Sequence, residues 1–305
     1  MAKRKKVLIL INASAGVGRA QDDTFDIASA YAKAGYEPIV YPIIPGTEFI
    51  SENIIEWYKG ESEEVMCCGG DGTLNHVISG VMSLEKEERP VIAYIPSGST
   101  NDFARGLNIP DNKEEAVKVA VKGKKFTYDI GRMNDRYFNY VAAFGAFSKI
   151  SYDTDQNLKN AFGYAAYVIN AIINLPQNIS YSCRMKIDTG EKTEEGDYVF
   201  GSVCNSVSVG GMKLFENAGV KLDDGKLELL LIKSPKNISE LNSILTALAK
   251  GDTDNPYIIF REIEKARFVS SEEVSWTLDG EYGGESRETE IEVMRKAVTI
   301  KVGNK

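Results

Sequence analysis

The stretch Gly69-Gly70-Asp71-Gly72-Thr73 follows an apolar run at residues 65–68 and precedes a helical pattern at 73–82. A second stretch, Pro96-Ser97-Gly98-Ser99-Thr100-Asn101-Asp102-Phe103-Ala104-Arg105, follows the apolar run 91–95 in the same way. Glycine-rich turns at the carboxyl ends of parallel strands are where α/β proteins bind phosphate groups. An aspartate in such a turn would repel bare phosphate, so it indicates a metal ion or a hydroxyl group in between. The two stretches together predict nucleotide-dependent chemistry.

Length and charge narrow the class of protein. The chain has 305 residues. This length exceeds what a single hydrophobic core usually supports, so two domains are expected. A net charge of −8 argues against nucleic acid as the main partner, because nucleic acid requires a basic face. No stretch approaches the roughly 20 apolar residues of a membrane span. The basic start of the chain precedes an apolar run too short for a signal peptide, and we interpret that run as a first strand.

The cysteines favour a reducing compartment. Cys67 and Cys68 are adjacent in an apolar run, whereas Cys183 and Cys204 lie far apart in predicted strands. The chain has no CxxC pair and one histidine, a pattern that argues against a structural zinc site. Buried thiols in a cytoplasmic protein are therefore expected.

The first part of the chain alternates strands and helices, which predicts a parallel sheet with helices on both faces. Strands are predicted at 6–11, 38–41, 65–68 and 91–95. Helices are predicted at 22–34, 49–58, 73–82, 101–106 and 111–121.

After about residue 124 the pattern changes to alternating runs typical of antiparallel sheets. The runs occupy residues 126–130, 137–143, 179–187, 197–207, 226–232, 266–269 and 274–278. Helices are predicted at 158–175 and 237–249, and the last runs, 289–293 and 297–302, are predicted to return to the first domain. The expected domains are 1–130, completed by 295–305, and 131–294.

Several candidate residues have a structural explanation as well as a functional one. Asn12 opens a third candidate phosphate turn, but Tyr41-Pro42 ends the second strand where a dinucleotide-binding fold would carry an acid. Thr73 is expected to be a helix N-cap whose hydroxyl could instead bond a phosphate. The segment 96–105 lines a nucleotide pocket or merely caps a helix. A lone helical histidine such as His76 is more often packing or surface than chemistry.

Three acidic groups also have both a structural and a functional interpretation. Asp279-Gly280-Glu281 could present a base, although Asp-Gly is a common hairpin pair and the residues alone favour the hairpin. Asp223-Asp224-Gly225 suits a turn or, with backbone carbonyls, a Mg²⁺ or Ca²⁺ site. Asp129 is either a strand-end acid or part of a metal network.

Taken together, these motifs resemble the diacylglycerol kinase catalytic family, in its soluble bacterial lipid-kinase branch. The resemblance lies in GGDGT at 69–73, PxGxxND at 96–102 with the FAR that follows, and DGE at 279–281, in the family's order over nearly the whole chain. GGDGT alone is shared with NAD kinases. The chain departs from the family pattern at His76, commonly Glu, at Ser99, usually Thr, and at Ala13, often Pro.

The resemblance implies an N-terminal Rossmann-like α/β nucleotide domain and a C-terminal antiparallel β-sandwich domain, with the active site in the cleft between them. It implies ATP as phosphoryl donor and a lipid hydroxyl as acceptor. The residues expected at the ATP phosphates are Gly70, Asp71, Gly72, Thr73, Leu74, Asn75, His76 and Ser99, to which we add Asn12.

The resemblance also implies two places for Mg²⁺. Asp71, Asp102 and Asp129 would form an acidic network around the catalytic ion. The carbonyls of Lys221 and Lys226, with the Asp224 carboxylate, would form a structural site at residues 221–226. Glu281 would be the general base.

The resulting hypothesis is an ATP- and Mg²⁺-dependent lipid kinase that phosphorylates diacylglycerol to phosphatidic acid. It implies a cytoplasmic protein in transient peripheral contact with a membrane, and a homodimer is compatible with it. The alternatives are an NAD kinase and a non-catalytic lipid- or nucleotide-binding protein on the same scaffold. The sequence leaves the identity of the acceptor lipid open.

Overall fold

The fold is mixed α/β and rich in strands. A computed structural model describes residues 4–12, 24–98, 101–145, 182–206 and 219–303. The chain divides into two compact units, unit 1 (Met1–Tyr128 with Lys296–Lys305) and unit 2 (Asp129–Arg295). The helix predicted at 158–175 lies outside the described residues, as does Ser99.

Unit 1 alternates strands and helices along the chain. In order these are β1 (Lys5–Asn12), α1 (Thr24–Lys33), β2 (Tyr36–Ile43), α2 (Ser51–Trp57), β3 (Glu64–Gly69), α3 (Asp71–Met82), a 3₁₀ turn (Lys86–Glu88), β4 (Val91–Pro96), α4 (Asp102–Gly106) and α5 (Lys113–Lys122). The predicted helix start at 111 is two residues early, because Asn112 is the N-cap and accepts the Glu115 N–H.

The strands of unit 1 form a parallel sheet in the order β2-β1-β3-β4. All six residues of β3 are buried, as expected for a central parallel strand covered on both faces. The chain places β2 on one side of β1 and β3 on the other, so its winding direction reverses there. Such a switch point, at the carboxyl ends of the strands, is where open α/β sheets bind ligands.

At the edge of this sheet, β2 pairs with β1 and contains Pro38 and Pro42. Proline lacks an N–H and is confined to edge strands, where it discourages pairing with other chains. The predicted strand, 38–41, was therefore too short, because prolines that interrupt a central strand are tolerated at an edge.

A buried ion pair secures the C-terminal residues in unit 1. Lys301 Nζ lies 2.6 Å from the Glu64 carboxylate and donates to the carbonyls of Ala120 and Val121 at 2.8 and 3.0 Å. The Tyr31 hydroxyl donates to the same carboxylate at 2.6 Å. Burial, followed by the charge of Glu64, raises the pKa of Tyr31 well above its usual value, so this hydroxyl remains a donor.

Unit 2 consists mainly of antiparallel strands. Its elements are β5 (Lys124–Met133, starting in unit 1), β6 (Arg136–Phe138), β7 (Val141–Gly145), β8 (Cys183–Asp188), β9 (Thr193–Cys204), β10 (Leu227–Lys233), α6 (Ile238–Lys250), β11 (Ile258–Ile263), β12 (Lys265–Leu278) and β13 (Glu281–Val302, ending in unit 1). The long strands β9 and β12 each pair with β7 over one part of their length and with β8 over another.

The strands of unit 2 enclose an aromatic cluster. Trp276 lies 4.9 Å from Phe144 and 5.1 Å from Phe268 between ring centroids, both in edge-to-face geometry. A separate cluster joins α6 to the sheet, where Ile244 and Leu248 pack with Leu230 of β10. The described residues include no helix long and apolar enough to span a membrane.

Several predicted strands have different limits in the structure. Residues 266–269 and 274–278 belong to one strand, β12, with an irregular register between Val269 and Val274. The exposed charges Glu272 and Glu273 at this irregularity hide the continuity of the strand in the sequence. The predicted run 137–143 is two strands, β6 and β7, because the N–H groups of Asn139 and Tyr140 between them donate to the Asp279 carboxylate. The prediction missed β11.

Candidate functional site

The first glycine turn begins α3 earlier than predicted. Gly70 is the N-cap in extended conformation, and α3 starts at Asp71. The prediction that Thr73 is the N-cap is therefore wrong, because the backbone enters the helix at Gly70 and Thr73 lies within its first turn. The Thr73 hydroxyl instead accepts a hydrogen bond from Asn12 Nδ2 at 2.9 Å, which joins the end of β1 to the first turn of α3.

The glycines allow two turns to pack against each other. A Cβ on Gly98 would lie 2.7 Å from the Gly70 Cα, and a Cβ on Gly69 would lie 2.5 Å from the Thr73 Cβ. The Ser97 N–H donates to the Gly69 carbonyl at 2.8 Å, so the second turn is bonded to the first. The two motifs thus meet at the carboxyl edge of the sheet, beside the switch point.

Asn101 closes the second turn. It adopts a left-handed conformation, with φ of +50°, that asparagine tolerates better than most residues. Its side-chain oxygen accepts the Gly98 N–H and its side-chain nitrogen donates to the Gly98 carbonyl, both at 3.0 Å. Sequence reasoning assigned Asn101 no role of its own, although an asparagine just before a short helix is a recognisable signal.

Tyr94 is a second residue that the sequence prediction missed, because a tyrosine inside an apolar strand looks like core. Its hydroxyl donates to the Gly69 carbonyl at 3.2 Å. Burial raises the pKa of Tyr94 well above its usual value, and the nearby charge of Asp71 raises it further. Tyr94 therefore stabilises the turn through its bond to the Gly69 carbonyl, and its hydroxyl stays protonated near the negative charge of Asp71.

The other predicted phosphate residues differ in exposure. Leu74 is fully buried, and its N–H donates to the Gly70 carbonyl at 3.1 Å. Gly72 and Asn75 are partly exposed. His76 is exposed, and its Nδ1 lies 2.7 Å from Glu52 Oε1 on α2. Burial opposes ionisation of Glu52, but hydrogen bonds from His76 and the backbone lower its pKa.

The acidic residues predicted around the catalytic Mg²⁺ come from different elements. Asp71 begins α3 and Asp102 begins α4 in unit 1, whereas Asp129 lies within β5 at the start of unit 2. Across the part of the chain that the structure describes, no three His, Cys, Asp or Glu side chains are grouped so that they could hold a metal ion.

Asp129 supports the loop of residues 221–226. Its Oδ2 accepts the Gly225 N–H at 2.6 Å, and its own N–H donates to the Leu222 carbonyl at 2.8 Å. Asn205 Nδ2 donates to the carbonyls of Leu222, at 3.2 Å, and Asp129. The loop is thus held by two buried polar residues, Asp129 of β5 and Asn205 just after β9.

The carboxylates of this loop and of the start of β10 fit a hard divalent cation. Asp224 is exposed, and its Oδ1 accepts the Lys226 N–H at 3.1 Å. The Glu228 side chain is 2% exposed, and its Oε2 has no hydrogen-bond partner. Burial and the charge of Asp224 raise the pKa of Glu228 to about 8. A cation would satisfy such carboxylates, and carboxylate and carbonyl oxygens are the ligands that Mg²⁺ and Ca²⁺ prefer.

The two lysines of this loop are predicted to bind the cation through their backbone carbonyl oxygens. Lys221 is exposed, and Lys226 Nζ forms an ion pair with Glu262 on β11. That ion pair engages the ammonium group of Lys226, whereas the prediction for this residue concerns its backbone carbonyl. Sequence reasoning missed Glu228, because a glutamate in the alternating run at 226–232 looks like a solvent-facing position.

The DGE motif forms a hairpin. Asp279 and Gly280, with φ of +50° and +86°, make a two-residue turn that sets Leu278 opposite Glu281. The hairpin that the residues alone favoured is thus present. Glu281 is the exposed first residue of β13, while Asp279 is buried.

Comparisons with known proteins agree with these motifs. The family profile described as "Diacylglycerol kinase catalytic domain" matches residues 6–133. Proteins named diacylglycerol kinase from Staphylococcus aureus strains MRSA252 and RF122 / ET3-1 are each 34% identical over 285 residues, which cover 92% of this chain and 87% of theirs. A crystal structure of a diacylglycerol kinase from Bacillus anthracis strain Sterne has a TM-score of 0.78 at 23% identity, with 99% of each chain covered.

The structural likeness shows the shared fold, and the sequence identity over most of the chain shows the family. The predicted resemblance is confirmed. The chain belongs to the diacylglycerol kinase family and is a phosphotransferase with an alcohol acceptor.

Proposed function

We propose that the chain is an ATP- and Mg²⁺-dependent diacylglycerol kinase that produces phosphatidic acid. The observation that carries this proposal is the contact between the glycine turns at Gly70 and Gly98, at the switch point of a parallel sheet. We also propose that unit 1 is a Rossmann-like nucleotide domain and that unit 2 is a β-sandwich lipid-substrate domain.

In this proposal the nucleotide phosphates contact the N-terminal end of α3. Helix N-terminal ends favour negative charge, because their first N–H groups have no partner within the helix and the helix dipole is positive there. The residues proposed for ATP are Gly70, Asp71, Gly72, Thr73, Leu74, Asn75, His76, Ser99 and Asn12. Within this set, the Leu74 N–H is not available to a phosphate, because it already donates to the Gly70 carbonyl.

Asp71, Asp102 and Asp129 are proposed to form the acidic network around the catalytic Mg²⁺, which when bound would neutralise phosphate charge. The buried position of Asp129 and its bond to Gly225 support a second role for it, as a brace for the loop proposed to bind a structural cation. The ligands proposed for that cation are the Lys221 and Lys226 carbonyls and the Asp224 carboxylate.

Glu281 is proposed as the general base. Its carboxylate takes the proton of the lipid hydroxyl while the hydroxyl oxygen attacks the γ-phosphorus. The bond from that phosphorus to the β–γ bridging oxygen breaks, and ADP leaves. The exposure of Glu281 supports this role, since a base must be accessible to a bulky acceptor.

The names of the relatives support diacylglycerol as acceptor rather than NAD. A lipid acceptor requires transient contact with a membrane surface, and we include that contact in the proposal. A homodimer remains compatible with it.

The test is transfer of labelled γ-phosphate from Mg²⁺-ATP to diacylglycerol in mixed micelles, with NAD as a second acceptor. We expect labelled phosphatidic acid and no labelled NADP. Glu281→Gln should reduce transfer about 10²-fold or more, the usual contribution of a general base. Glu285→Gln on the same strand is the matched control and should retain activity. Label only on another lipid would change the acceptor, and full activity of Glu281→Gln would refute the assigned base.

A further inference from the structure

Asp279 lies beside the proposed base and makes an unusual set of contacts. Its carboxylate accepts three consecutive backbone N–H groups, from Asn139 at 2.6 Å, Tyr140 at 2.9 Å and Val141 at 3.0 Å. Its own N–H donates to the Val141 carbonyl at 2.8 Å. The side chain is 5% exposed, so these charge-assisted bonds are shielded from water.

The turn itself does not require this carboxylate. A two-residue hairpin turn with two left-handed residues accepts Asn-Gly or Gly-Gly as readily as Asp-Gly. What the carboxylate adds is a connection from the hairpin tip to residues 139–141. The same connection explains why β6 and β7 are separate strands, since Asn139 and Tyr140 turn their N–H groups to Asp279.

Asp279 is not suited to be the base. Both of its oxygens already accept backbone hydrogen bonds, and multiple N–H donors stabilise the charged form of a carboxylate. Glu281 is two residues further on, on the other side of the turn, and is exposed. The orientation of Glu281 therefore depends on a hairpin tip that Asp279 secures.

We propose that Asp279 is a positioning residue, whose buried carboxylate fixes the β12–β13 hairpin tip to residues 139–141 and thereby orients Glu281 toward the acceptor hydroxyl. This inference rests on the proposed role of Glu281. No proton is transferred to Asp279 in the reaction. Its effect is on the fraction of time that Glu281 spends in the reactive geometry.

We call the three hydrogen bonds from residues 139–141 to the Asp279 carboxylate the clamp. Asp279→Gly tests the clamp, because glycine makes the turn at least as well as aspartate and removes all three bonds. We expect kcat to fall about 10- to 100-fold, the scale of a misplaced catalytic group, with the KM for ATP unchanged. Asp279→Asn keeps one acceptor oxygen and should recover part of the loss. Asn134→Gly is the matched control: it removes the bond from the Glu290 N–H at the β5–β6 hairpin of the same unit and should leave kcat unchanged.

The decisive measurement combines Asp279→Gly with Glu281→Gln. If Asp279 acts through Glu281, adding Asp279→Gly to Glu281→Gln should lower kcat less than about twofold further, as expected for coupled residues. If the reductions in kcat of the two single variants multiply in the double variant, the proposal is overturned. It is also overturned if Asp279→Gly leaves kcat unchanged while Glu281→Gln lowers it. Full activity of Glu281→Gln would instead refute the base and the clamp with it.

A readout independent of activity is amide hydrogen exchange at residues 139–141. Asp279→Gly should accelerate exchange there, whereas Asn134→Gly should not. Unchanged protection in Asp279→Gly would overturn the clamp whatever the kinetics show.

Discussion

The glycine turns of unit 1 and the acidic turns of unit 2 are built in opposite ways. In unit 1, Gly70 and Gly98 approach each other closely, and the shape of the turns depends on the absence of side chains. In unit 2, Asp129 and Asp279 are buried carboxylates that accept backbone N–H groups and secure loops at a distance in sequence. A change in volume should therefore damage the first region most, and a change in charge the second.

The difference follows from what each region is proposed to bind. A phosphate chain needs N–H groups brought close to it, and glycine allows that approach. A general base and a cation loop need carboxylates in fixed orientations, and buried hydrogen bonds provide them. Unit 1 also contains buried charge, but at Glu64 and Lys301, where it supports the framework.

The largest expected effect is on the buried ion pair of Glu64 and Lys301 in unit 1. It tests whether this pair contributes to the stability of the fold. Lys301→Met leaves Glu64 buried without its cation and should lower the free energy of unfolding by about 3–5 kcal/mol. The double variant Glu64→Gln, Lys301→Met should recover more than half of this loss, as measured by urea denaturation. A double variant as unstable as the single one would contradict the account.

The next largest effect is expected at the glycine turns of unit 1, whose shape depends on the absence of side chains. Gly98→Ala places a Cβ within 2.7 Å of the Gly70 Cα, so the turns must separate. We expect kcat/KM for ATP to fall about 10²-fold, as a misplacement of about 1 Å typically costs. The control is Gly303→Ala, whose Cβ would meet no atom closer than 3.4 Å. Equal activity of both variants would show that the contact is not needed.

The third prediction uses pH on the unit 2 side. The pKa of Glu228 is raised to about 8, so between its unfolded pKa and pH 8 the folded protein holds a proton that the unfolded chain lacks. Stability should therefore fall as pH rises, by up to about 1.4 kcal/mol per unit between pH 6 and 7.

Urea denaturation in EDTA at these two pH values measures that slope. Glu228→Gln should remove this part of the pH dependence, whereas Glu264→Gln, at an exposed position, should retain it. Identical slopes in the wild type and in Glu228→Gln would show that Glu228 does not titrate in this range. Added Mg²⁺ should reduce the wild-type slope if the loop binds the ion.

The smallest effect is at His76, where the exposed pair with Glu52 borders the first turn. His76→Gln should change the free energy of unfolding by less than about 1 kcal/mol, as exposed ion pairs do. If His76 contacts the phosphates as proposed, the KM for ATP should rise a few-fold with kcat unchanged. A KM equal to that of the wild type would remove His76 from the proposed site.

Much of the fold could be predicted because local patterns and tertiary packing agree. The apolar runs at 65–68 and 91–95 are buried central strands, and the helix predicted at 73–82 differs from α3 by only two residues. Prediction failed where an interaction distant in sequence sets the limits. The division of residues 137–143 depends on Asp279, and the continuity of β12 depends on its partners β7 and β8.

The sequence by itself determined the family, the enzyme class and the alternation of strands and helices, because these depend on short motifs and on periodicity. Only the tertiary structure decided that Asn101 closes the second turn, that Asp129 braces the loop of residues 221–226 and that Asp279 secures the DGE hairpin. The physical reason is that a buried polar side chain takes its role from the backbone groups that it meets, and residues 129 and 279 meet groups 96 and 140 positions away.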